Sequence, residues 1–151
     1  MGDMHTVETL RQLRHDFGNY LQVILGYIDL NQPYQAREYI LEIVENLAAE
    51  RNIFEIPDNQ AILYFYNQLL KARNLGIILR YKDLNINSWS RLMELNEPFN
   101  TLSALSQRLQ EKDDNLRISL SLNEIGKSII MLFEWQKPEA GKYKVIIEEL
   151  K

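Results

Sequence analysis

Leu13-Arg14-His15-Asp16-Phe17-Gly18-Asn19-Tyr20-Leu21 decides the reading of this chain, because its apolar residues repeat with the period of an α-helix and its histidine stands off their face. With Phe17 as the middle of the stripe and about 100° per residue, Leu10, Leu13, Leu21, Ile24 and Ile28 fall within roughly 40° of it, and His15 falls about 160° away. The spacing predicts a helix that buries Phe17 and turns His15 to water. Arg11 precedes His15 by a turn, Asn19 follows by a turn and Gln22 by two, while Gly18 and Gly26 remove side-chain bulk nearby. Such a face is a docking surface with a nucleophile at its centre.

Outward from this stretch, one amphipathic pattern runs from about Thr6, a candidate N-cap, to Leu30, and Asn31-Gln32-Pro33-Tyr34 interrupts it. A second helix is predicted from Tyr34 to Arg51, with Ala36, Ile40, Ile43, Val44 and Leu47 on one buried face and Arg37, Glu38, Glu42 and Glu45 on the other. So short a turn makes the pair an antiparallel hairpin. Two helices cannot cover their own apolar stripes, and Val23, Leu25, Tyr27 and Leu30 widen the first stripe further, so a four-helix bundle made by dimerisation is expected.

Pro57 and Asp58 mark the next boundary. A third helix over Gln60 to Asn74, ended by Gly76, leads into a strand at Ile77 to Lys82. Leu102, Leu105 and Leu109 suggest a helix from Glu97 to Lys112. Strands follow at Leu116 to Leu122, Ser128 to Trp135 and Lys142 to Leu150, with turns at Asn123 to Gly126 and at Pro138 and Gly141. The expected fold class is α+β, with a helical domain over 1–54 and an α/β domain over 55–151.

Composition bounds the function. A chain of 151 residues with 46% hydrophobic residues holds one or two compact units, which excludes a large multidomain enzyme. Seventeen basic and 21 acidic side chains give a net charge of −4 without a single-sign run, which fits a protein partner rather than nucleic acid. There is no cysteine, so disulfides and thiolate metal sites are excluded. No basic stretch leads into an apolar core at Met1 to His5, and the aliphatic run Ile129 to Phe133 is too short to span a bilayer, so a cytoplasmic protein without membrane association is expected.

Phosphoryl transfer needs an uncharged imidazole nitrogen as acceptor, which an exposed histidine supplies at neutral pH. His5 lies near the chain end, no metal-ligand cluster is evident, and no GxSxG or HExxH pattern occurs. From these residues alone, His15 is either an incidental surface histidine or a nucleophile.

The block Leu13-Arg14-His15-Asp16-Phe17-Gly18-Asn19, continued by Leu21-Gln22-Val23-Ile24-Leu25-Gly26-Tyr27-Ile28-Asp29-Leu30, resembles the phosphoacceptor helix of histidine kinases. The type is that of the sporulation initiation phosphotransferase B family and of citrate and dicarboxylate sensor kinases. Tyr34 to Ile43 is similar to the second helix of that hairpin, and Leu69 to Leu79 to the start of the kinases' ATP-binding domain. The resemblance implies a phosphorelay phosphotransferase in sporulation initiation, with His15 taking a phosphoryl group from one receiver aspartate and passing it to another. Response-regulator receiver domains are then the partners, Arg11, Arg14, Asp16, Gly18, Asn19 and Gln22 the residues that meet them, and Mg²⁺ a ligand of the receiver. Where the family's ATPase helix carries a magnesium-binding asparagine, this chain reads Leu102 to Leu109, and Phe133 to Pro138 replaces a glycine-rich nucleotide loop. Backbone amides approach phosphates closely only where glycines permit, so a degenerate ATPase-like domain with no bound cofactor or metal is expected. A docking scaffold that takes no phosphate is the alternative, and an active sensor kinase would need nucleotide motifs that are missing.

Overall fold

The computed structural model describes residues 2–109 and 115–148, with side chains from residue 6 onward. Two compact units divide the chain between Ala49 and Glu50.

The first unit is a helical hairpin. Helix α1 spans Gly2–Asp29 and α2 spans Pro33–Ala49. Asn31 takes the left-handed conformation at φ 55°, and Gln32 N–H returns to Tyr27 O at 2.8 Å, closing the end of α1. Pro33 opens α2, where its missing N–H costs nothing because first-turn amides have no helical acceptor. Thr6 is not an N-cap, since the helix already begins at Gly2.

The hairpin seam lies to one side of the predicted stripe. Thr9 is buried, Leu13, Asp16, Tyr20, Ile24 and Tyr27 are half-buried, and Tyr39 of α2 packs its ring 6.3 Å from Tyr20 and 6.2 Å from Tyr27. Phe17 is 63% exposed, contrary to the expectation that it is the middle of the buried face. The seam is centred roughly 80° round from Phe17, because a helix with one neighbour covers one side of a wide apolar arc. Val7, Leu10, Phe17, Leu21, Leu25 and Ile28 form a second, exposed stripe. Helix α2 divides likewise: Ala36 is buried and Ile43 half-buried, whereas Ile40, Val44 and Leu47 are exposed.

The second unit begins with the short α3, Arg51–Phe54, and continues with α4, Asn59–Asn74. Asp58 caps α4 as expected, accepting from Gln60 N–H at 2.8 Å. Strand β1, Ile77–Asn85, follows Gly76, whose φ of 79° suits glycine. Helices α5, Trp89–Leu95, and α6, Phe99–Arg108, carry the chain to β2, Leu116–Ile125, then β3, Ser128–Trp135, and β4, Gly141–Glu148. The sheet order is β1-β2-β3-β4, with β1 and β2 parallel and the other pairs antiparallel.

Alternation sets the core. Ile77, Leu79 and Tyr81 of β1, Ile118 and Leu120 of β2, and Ile129, Met131 and Phe133 of β3 are buried, as are Phe65 and Leu69 of α4 and Leu102 and Leu105 of α6. Ile130 and Leu132 on the opposite face are only half-buried, so β3 is not the doubly covered strand its apolar run suggested. Helix α5 was not legible in the sequence, since Leu92 alone of its residues is buried and no stripe announces it. The helix expected over Glu97 to Lys112 is shorter among the described residues, and Lys112 and Leu150 lie outside them.

Candidate functional site

The site is a face of α1. His15 has 71% of its side chain exposed, and the arc opposite it holds the seam and the second apolar stripe. Arg11, Gly18, Asn19 and Gln22 are exposed and fall within roughly 60° of His15 around the helix, while Arg14 is exposed but about 100° aside. A Cβ placed on Gly18 or Gly26 would meet nothing within 4 Å, so this flank is open.

Asp16 behaves differently from its neighbours. It points toward the hairpin seam, its side chain is 13% exposed, and its Oδ1 lies 3.6 Å from His15 Nδ1. That separation is a charge contact, too long for a hydrogen bond. Gln12, one turn earlier, donates from Nε2 to the same Oδ1 at 2.9 Å. From the other side, Asn19 Nδ2 stands 3.4 Å from His15 Nδ1. Both neighbours thus address Nδ1, leaving Nε2 the outward nitrogen of the ring. Sequence reasoning overlooked Gln12; its signal was the i, i+4 spacing to Asp16.

Residues 4–56 match the sensor kinase SpoOB-type, alpha-helical domain. The match takes in α1, α2 and α3 and ends before α4 begins. The SpoOB-type domain links the hairpin to two-component signalling and the sporulation phosphorelay. No curated protein matches the chain.

Around the segment where the resemblance implied an ATPase site, polar side chains serve the fold. Gln68 of α4 donates to Asn96 Oδ1 at 3.0 Å and accepts from Phe99 N–H at 2.7 Å, tying α4 to the α5–α6 link. Asn100 donates to Leu95 O at 2.9 Å. Glu97 accepts from the N–H and hydroxyl of Thr101, both at 3.1 Å, which satisfies an amide of the first turn of α6. Gly141 sits under Trp135, where a Cβ would come within 2.7 Å of Cζ2, so indole packing explains this glycine. Among the described residues no group of three or more His, Asp or Glu is arranged to hold a metal, and no helix is long and apolar enough to cross a membrane. The side chain of His5 lies outside the described residues.

Proposed function

We propose that the chain is a phosphorelay phosphotransferase in which His15 accepts a phosphoryl group from the aspartyl phosphate of one receiver domain and returns it to the aspartate of another. The observation that carries this reading is the exposed His15 ring on the SpoOB-type helix, with nothing bulky on its Gly18 flank. In the forward step an imidazole lone pair attacks phosphorus, the bond from phosphorus to the aspartyl oxygen breaks, and the receiver recovers its carboxylate. Arg11 is a turn away, where a guanidinium meets phosphate oxygens. Transfer of this kind relies on in-line positioning and charge stabilisation, and Mg²⁺ is supplied by the receiver's acidic pocket. Gly18, Asn19, Gln22 and Arg14 contact the receiver surface.

The hairpin works as a homodimer in this reading. The stripe of Leu10, Phe17, Leu21 and Ile28, with Ile40, Val44 and Leu47 of α2, is covered by a second copy to complete a four-helix bundle. The second unit is a degenerate ATPase-like domain that binds no nucleotide; Leu102 and Leu105 occupying the core support a packing role for α6.

The test incubates wild-type protein and His15→Ala with a labelled phospho-receiver, and separately with ATP alone. Label transfer lost in the variant is expected. Binding without label would replace the relay with a docking scaffold, and labelling from ATP alone would replace it with a kinase.

A further inference from the structure

We infer that Gln12 is a positioning residue for His15: by holding the Asp16 carboxylate beside Nδ1, it keeps the ring proton there and leaves Nε2 as the nitrogen that takes the phosphoryl group. The inference rests on the phosphotransferase reading for its chemistry, but its geometry stands by itself.

Asp16 follows His15 directly, so the helix alone would send the two side chains about 100° apart. An unrestrained carboxylate at that position would sample several rotamers, most of them away from the ring. The 2.9 Å bond from Gln12 Nε2 to Oδ1 fixes the very oxygen that lies 3.6 Å from Nδ1. Gln12 and Asp16 are both only partly exposed, so water competes weakly for this bond. A carboxylate beside Nδ1 favours the tautomer with its proton on Nδ1, and the lone pair is then on Nε2. When Nε2 attacks phosphorus and the aspartyl P–O bond breaks, the proton stays on Nδ1 and the ring becomes a cation. The Asp16 carboxylate is already in place to stabilise that charge. Asn19 at 3.4 Å presents an amide to the same nitrogen. Its N–H favours the opposite tautomer and its carbonyl oxygen the same one, so the carboxylate's hold on the balance depends on Gln12.

The experiment compares wild type, Gln12→Leu, Asp16→Asn and the double variant, in the full chain. Nitrogen NMR of the His15 side chain reads the tautomer without any phosphoryl donor, and stopped-time labelling from a phospho-receiver reads the rate. Circular dichroism confirms that each variant keeps its helices. Gln12→Leu should move the ring toward the Nε2–H tautomer and slow transfer about tenfold, the scale of one hydrogen bond to a charged group, while receiver affinity holds. In the Asp16→Asn background the same change should add nothing, because the effect runs through the carboxylate. An unchanged tautomer in Gln12→Leu, or an equal further loss in the double variant, would overturn the inference. If wild-type protein takes no label at all, the phosphotransferase reading fails while the tautomer measurement still decides what Gln12 does.

Discussion

At the scale of single residues, the chain contrasts an exposed imidazole with a buried carboxylate. His15 is set for chemistry by standing clear of both apolar stripes. Glu50, at the start of the second unit, is buried against Tyr66 and Arg73, whose hydroxyl and guanidinium each reach it at 3.2 Å. Burial raises its pKa above the ordinary carboxylate value, and the opposing pull of Arg73 does not cancel this. Below the ordinary carboxylate range both folded and unfolded chains are protonated there; as pH rises, the unfolded chain ionises first and the fold loses stability until the raised folded value is passed. Urea unfolding at a series of pH values should therefore show a fall in stability from mildly acidic to neutral pH that Glu50→Gln flattens. A variant with the same slope as wild type would show that Glu50 is not its source.

At the scale of elements, the glycines separate by what surrounds them. Gly18 is a mid-helix residue with open space on its side, so Gly18→Ala should stabilise α1 by up to about 1 kcal/mol through helix propensity, read as a higher melting temperature. If the receiver approaches here, the same variant transfers phosphate more slowly. Gly141 is the opposite case: a Cβ would collide with the Trp135 indole, and Gly141→Ala should cost about 1–3 kcal/mol in chemical unfolding. The elements themselves were legible where one period ran long enough. Helices α1, α2 and α4 and strand β3 follow from their apolar spacing, and Asp58 announced its cap. Helix α5 and the end of β1 were not legible, because Leu92 is a lone anchor and the register shift between Tyr81 and Asp83 breaks the alternation on which a strand is recognised. The parallel pairing of β1 with β2 depends on the crossover through α5 and α6, a long-range contact that no local pattern encodes.

At the scale of the whole molecule, the hairpin keeps more apolar surface in water than a lone pair of helices needs. The stripe through Leu10, Phe17 and Leu21 could be seen in the sequence, but its division into one covered and one uncovered side could not, since that depends on which neighbour α2 becomes. Phe17→Glu places a charge on the uncovered side, away from His15, and should convert a dimer to a monomer in sedimentation while leaving the second unit folded. A wild-type monomer would overturn the bundle. The face of the site was readable for the complementary reason: Arg11, His15, Asn19 and Gln22 align by helical spacing alone. What spacing did not reveal was the sideways link from Gln12 through Asp16 to the ring, which requires rotamers.

The most direct measurement is site mapping of the phosphoryl group. The full chain is mixed with a receiver charged on its aspartate, kept near neutral pH, digested, and its peptides weighed by fragmenting mass spectrometry. One phosphoryl group on His15, absent when the receiver is uncharged, is the expected result. A phosphorylated receiver that binds and loses its phosphate while His15 remains unmodified at every time point, or a phosphoryl group on another residue, would contradict it.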